Sequence, residues 1–190
     1  MDPPPEVLSL DSHTIGEVLG DVRTVARATG NEDAGVALVE QAARRIDAVR
    51  LAVRDARPVA VAALEWLDPV YSAGHWTPQL IELAGGHDVL GLPGERSETR
   101  TWDEVKSAAP EVVVVMPCGF DAERALEEAE DHADELEELG ARRVVCVDAA
   151  AYYSRPGPRL VGGLELMAHV LHPDRVPAPS PGGLLEFALD

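Results

Sequence analysis

Cys118 and His75 are the groups in this chain whose types and settings could support covalent chemistry. Cys118 stands in Met116-Pro117-Cys118-Gly119, directly after Val112-Val113-Val114-Val115. Such a valine run is a buried strand, and the turn from strand to helix is where α/β enzymes often present a nucleophile. His75, from a separate loop, could activate the thiol as a base, which describes a hydrolase-like enzyme. No third residue stands out to orient the histidine. A second, non-covalent chemistry rests on rings. Trp66, Tyr71, His75 and Trp76 fall within eleven residues, in a chain holding only eight Phe, Trp and Tyr in total. His75 could ligate a metal or cobalt ion, hydrogen-bond to a ligand, or be a plain loop histidine; the loop or hydrogen-bonding role fits its setting better than direct ligation. His169 and His172 have helical i,i+3 spacing without a carboxylate partner at fixed spacing and read as structural.

The elements that must position these groups alternate between strand and helix. Val59 to Leu64 is a short continuous apolar run after Pro58, which reads as a strand buried on both faces. Further strands are expected near 88–91, 111–116 and 142–148. Thr77-Pro78 opens a helix, with Thr as N-cap, that Gly85 or Gly86 ends. Thr14 with Glu17, and Thr101 with Glu104, have capping-box spacing. Asn31 to Ala56 reads as one long helix with an apolar stripe through Gly35, Leu38, Ala42, Ile46, Val49 and Val53. Asp121 caps a helix running to Gly140 whose other face is nearly all acidic, a pattern typical of a solvated surface. Leu160 to Leu171 is a last helix, and the Pro-rich segment 176–190 reads as a tail with an apolar patch at Leu184, Leu185 and Phe187. Val7 to Leu10 is expected as a very short strand without an obvious partner.

Alternation of this kind predicts an α/β fold in three layers: a parallel sheet in strand order 2-1-3-4, flanked by helices through right-handed crossovers. The loops leaving the strands' carboxyl ends then share one edge, where ligands of such sheets bind. Those loops are Glu65–Trp76, Pro117–Phe120 and Ala149–Pro158. They carry Trp66, Tyr71, Trp76, Phe120, Tyr152 and Tyr153, six of the eight aromatics, with Asp68 and Arg155 as polar anchors. An edge so built suits a large apolar or macrocyclic ligand. The plainer alternative is that the rings pack the rim of a core otherwise poor in aromatics. Gly91-Leu92-Pro93-Gly94 lacks the Lys-Ser/Thr of a phosphate loop.

Composition removes several classes. The 190 residues carry 34 acidic against 16 basic groups, a net charge of −18, which is a poor match to nucleic acid or an anionic membrane surface. Cys118 and Cys146 form no CxxC, so neither a disulfide framework nor a zinc signature is present. No apolar run reaches membrane-spanning length, and MDPPPEVLSLD has neither the basic nor the apolar region of an export signal.

With these residues in view, the sequence resembles the cobalamin-binding branch of the ABC-transporter substrate-binding proteins whose two lobes are joined by one long helix. The likeness is carried by EWLDPVYSAGHWTPQLIELAGG at 65–86, APEVVVVMPCGF at 109–120 and YYSRPGPRLVGGLELMAHVLHP at 152–173, most specifically by GHWTP and PCGF. It implies a non-catalytic protein that captures a corrinoid such as cobalamin, or a related iron chelate, and passes it to an ABC permease, outside the cytoplasm. Ligand contacts are then expected from Trp66, Tyr71, His75, Trp76, Cys118, Phe120, Tyr152, Tyr153 and Arg155. The resemblance further implies that 1–30 is the remnant of a first lobe ending in the strand at 7–10, 31–57 the connecting helix and 58–175 the ligand-binding lobe. With one lobe only, weak ligand binding and self-association through strand 7–10 or the long helix are expected.

Overall fold

The run that opens after Pro58 is the centre of the structure. In a computed structural model that describes residues 5–179 and 182–189, β1 (Val59–Leu67) lies between two parallel neighbours, β3 (Gly86–Asp88) and β5 (Val112–Val115), and β5 in turn pairs in parallel with β6 (Arg143–Val147). The parallel order is therefore 2-1-3-4 in the numbering of the expected strands. Alternate residues of each strand go to opposite faces. Val61, Ala63, Val112, Val114, Val145 and Val147 enter one apolar cluster, while Ala62, Leu64, Val113, Val115, Val144 and Cys146 enter the other. Burial on both faces is why these strands read as unbroken apolar runs rather than alternating ones.

Helices cover both faces, giving three layers. On the first face lie α2 (Glu32–Val53), α3 (Thr77–Leu83), α7 (Ala149–Tyr152) and α8 (Leu160–Leu171); on the second lie α4 (Trp102–Ser107), α5 (Ala122–Glu130) and α6 (Ala133–Glu138). α1 (Ile15–Ala28) packs on α2 and reaches the first cluster through Ile15 and Val18. Both capping boxes form: Thr14 and Thr101 accept from Glu17 N and Glu104 N, and the glutamates return bonds to the cap backbones. Arg45 of α2 makes a bidentate bond to Glu165 of α8 at 2.7 and 2.8 Å, tying the long helix to the lobe.

Several expectations are corrected. The sheet is mixed rather than parallel throughout, because three antiparallel strands extend it: β2 (Val70–Ser72) returns on β1, β4 (Glu98–Thr99) pairs with β2, and β7 (Leu184–Phe187) pairs with β6. The apolar patch of the tail is thus an edge strand, which seats Phe187 in the second cluster. Val7 to Leu10 is not a strand, since no neighbouring strand offers it a ladder, and Val7 is 85% exposed. The long helix stops at Val53, roughly 33 Å from its start, and its inner stripe runs through Val39 rather than Leu38, which is exposed. Trp76, not Thr77, is the N-cap residue of α3. The acidic helix breaks at Asp131–His132, which turns α6 so that Leu136 and Leu139 reach the same cluster as Ala125 and Ala129. Of the N-terminal segment and tail, residues 1–4, 180, 181 and 190 lie outside the described residues.

Candidate ligand-binding site

At the carboxyl ends of β1, β5 and β6 the three expected loops meet. β1 continues past Leu64 to Leu67 and turns through a cis Asp68–Pro69 bond into β2, so the first loop is largely a hairpin. The chain then crosses Ala73-Gly74-His75-Trp76 before α3. Gly74 is needed there: a Cβ would come within 2.2 Å of Ser97 N. That close approach lets the segment 94–97 lie against the hairpin's exit. His75 donates its backbone N–H to Glu95 O, and Gly94 N donates to His75 O at 2.9 Å. His75 has a φ of 55°, and its ring lies 5.0 Å from that of His13 and 5.7 Å from that of Trp76, centroid to centroid.

A cavity of about 310 Å³ opens between these loops and the segment 10–12. Of the nine residues expected from the sequence, His75, Trp76, Cys118 and Tyr153 line it. Trp76 and Tyr153 are locked together, the indole Nε1 donating to Tyr153 O at 2.8 Å and the Tyr153 hydroxyl to Gly163 O at 2.7 Å. Both are buried, so their rings support the cavity floor more than they project from it. Complete burial pushes the Tyr153 phenol far above its ordinary value, which keeps it a neutral donor.

The other expected residues do not line this cavity. Trp66 is 36% exposed and meets Phe120 edge to face, with centroids 5.4 Å apart and planes at 86°. Arg124, in the first turn of α5, places its guanidinium carbon 5.2 Å from the Phe120 ring centre. Tyr71 sits opposite Trp66 in the hairpin register and is half-buried. Tyr152 packs its ring against Gly162 and Gly183, toward α8 and the approach to β7. Arg155 is exposed on the loop after α7.

Sequence reasoning missed the polar part of the lining. Glu65 accepts from Ser97 Oγ at 2.6 Å, Cys118 N donates to Glu65 O at 3.3 Å, and Ser154 Oγ accepts from Gly119 N at 2.9 Å. Glu65 stands directly after an apolar run, a position at a sheet's ligand edge that could have flagged it. Ser97, in an irregular loop, carries no such signal. Between Cys118 and His75 there is no hydrogen bond among the described residues, and His75 instead packs between His13 and Trp76. Among the described residues, no three His, Cys, Asp or Glu side chains are grouped closely enough to hold a metal ion.

Below the cavity loop, Asp88 at the end of β3 accepts from Leu90 N and Gly91 N, each at 2.9 Å, through Oδ1. Its Oδ2 is buried with no partner among the described residues. Burial pushes the Asp88 carboxyl up to about 6.

The fold is thus an α/β lobe packed against a long helix, with a cavity at the carboxyl ends of its parallel strands. The periplasmic binding protein family model matches residues 3–145, and the chain belongs to that family. No curated protein matches the chain. Among solved structures, an ABC transporter substrate-binding protein from Listeria monocytogenes is similar with a TM-score of 0.76 and 18% identity, over 86% of this chain and 67% of that one. The periplasmic vitamin B12 binding protein BtuF of Vibrio cholerae gives a TM-score of 0.69 at 17% identity, over 86% and 64%. The periplasmic heme-binding protein BhuT, in complex with two hemes, gives 0.64 at 26% identity, over 86% and 63%. This chain spans about two thirds of the length of each. Among the described residues, no helix is long and apolar enough to cross a membrane.

Proposed function

We propose that this chain is the helix and ligand-binding lobe of an ABC-importer substrate-binding protein, and that it captures a corrinoid such as cobalamin or a related iron chelate outside the cytoplasm for a membrane permease. The observation that carries this reading is the edge-to-face pair of Trp66 and Phe120 beside the His75-Trp76 cavity, at the carboxyl ends of the parallel strands. Offset and perpendicular ring pairs present apolar area with little conformational freedom to lose, which suits a flat macrocycle. A cavity of about 310 Å³ is small for a whole corrinoid; it is suited to a projecting arm of the ligand while the ring plane lies on the exposed aromatics. Membership in the periplasmic binding protein family supports the reading, as do neighbours whose names record vitamin B12 and heme. In the same reading α2 is the connecting helix, Arg45 and Glu165 fix its angle to the lobe, and the aromatic edge is one side of the ligand's enclosure.

The test is tryptophan fluorescence of the full chain titrated separately with cyanocobalamin, hemin and a ferric hydroxamate. Saturable quenching by one of them, weakened in Trp66→Ala and retained in Cys118→Ser, is the expected result. Turnover of an ester or amide panel that disappears in Cys118→Ser would instead establish a Cys118–His75 enzyme. Equal, non-saturable quenching by all three ligands would remove the macrocycle reading.

A further inference from the structure

Arg124 is placed where helix stability does not call for a cation. It lies in the first turn of α5, where the helix dipole favours negative side chains, and Asp121 and Glu123 already supply those. Its guanidinium sits over the Phe120 ring, whose other neighbour is the exposed Trp66. An arginine held near an aromatic ring keeps its N–H groups free for a partner, and a guanidinium can bind a carboxylate through two parallel bonds. Its ion-pair contact is with Glu127, one turn on and mostly exposed, at 3.6 Å, which is beyond hydrogen-bonding distance. The chain carries a net charge of −18, so an anionic ligand approaching this edge meets general repulsion that a local, oriented cation must offset.

From this arrangement we infer that Arg124 and Phe120 form an anchor for a carboxylate of the ligand, and hence that the site takes a flat macrocycle bearing carboxylates in preference to one bearing neutral amides. The inference rests on the macrocycle reading above and narrows it to the iron-porphyrin type of chelate. Phe120 and Trp66 supply contact area for the ring, and Arg124 reads the charged arm at its edge. The carboxylate is bound in its ionised form, so binding through this anchor weakens as added salt screens the pair.

Quenching titrations of the full chain with three probes test it: iron(III) mesoporphyrin, its dimethyl ester and cyanocobalamin. The free diacid is expected to bind at least about tenfold more tightly than the diester, the difference a hydrogen-bonded charge supplies. Arg124→Gln should remove that difference while leaving diester affinity unchanged, and Arg124→Lys should restore part of it. Phe120→Leu should reduce the discrimination without abolishing ring binding. If the diacid and diester bind equally to the unaltered chain, or if Arg124→Gln weakens both alike, the anchor is overturned while the macrocycle reading stands. Tight binding of cyanocobalamin alone likewise overturns the anchor and leaves the macrocycle reading in place. Absence of saturable quenching by all three overturns both.

Discussion

Trp66 and Trp76 are ten positions apart and have opposite tasks. Trp76 is buried and donates to Tyr153 O, whereas Trp66 stands at the rim against Phe120. Trp76→Phe leaves a buried carbonyl without its donor and should cost about 1–3 kcal/mol of stability. Trp66→Phe should change stability by less than about 1 kcal/mol and act on ligand quenching instead. Urea denaturation of the two variants beside the parent separates the roles; equal losses would show that Trp66 is a core residue. Asp88 gives a pH signature of definite sign. Its carboxyl is raised from 3.8 to about 6 by burial, with His87 lowering and Glu82 raising it further by their charges. The folded chain therefore binds this proton over a range where the unfolded chain has released it. The stabilising contribution of the proton is complete below about pH 4 and lost as pH rises through 6. Asp88→Asn keeps the acceptor for Leu90 and Gly91 but cannot ionise. Relative to the parent, the variant should gain on the order of 2 kcal/mol between pH 4 and pH 7. A difference independent of pH would mean that Asp88 stays ionised throughout.

At the scale of elements, the contact between α1 and α2 is the joint that orients the long helix against the segment leading to the cavity. It is close because Gly35 faces Ala26: a Cβ on Gly35 would lie 2.3 Å from the Ala26 methyl carbon. Gly20, in the middle of α1, has no atom within 4 Å of where a Cβ would stand. The same substitution should therefore have opposite signs at the two sites. Gly35→Ala forces the helices apart and should cost roughly 1–3 kcal/mol, while Gly20→Ala removes backbone freedom from the unfolded chain and should gain about 0.5–1 kcal/mol. Thermal melts of both variants check this, and a neutral Gly35→Ala would show that the two helices are not tightly packed in solution. The hairpin β1–β2 and the loop after β3 form a second joint, in which Gly74 admits the backbone of Ser97 and so brings Ser97 Oγ onto Glu65.

For the whole molecule, charge is the dominant non-specific term. Most of the acidic side chains of α5 and α6 are exposed, and they add to a net charge of −18 that opposes compactness by self-repulsion. Raising sodium chloride from about 0.02 to 0.3 M shortens the screening length below the spacing of many of these charges. The midpoint of thermal unfolding should rise by a few degrees, followed by circular dichroism, with a larger rise for sodium chloride than for an equal osmolality of sucrose if screening is the cause. A fall in the midpoint would mean that surface ion pairs such as Lys106–Glu138 outweigh the repulsion.

The sequence by itself determined the parallel core and most of its helices. A strand buried on both faces must be a short unbroken apolar run, as Val112–Val115 is. A capped helix must place its hydroxyl three residues before its glutamate, as Thr14 with Glu17 and Thr101 with Glu104 do. Those rules act within a few residues, and the order 2-1-3-4 expected with right-handed crossovers is the one observed. Only the tertiary structure decided which short segments find a partner. Leu184–Phe187 becomes a strand because β6 has an open edge beside it, and Val7–Leu10 does not because no ladder reaches it. The cavity is legible only in part for the same reason. The rings announced the edge through their concentration, but Glu65 and Ser97 are 32 residues apart, and their contact exists because Gly74 lets two backbones touch, a long-range event with no local pattern to betray it.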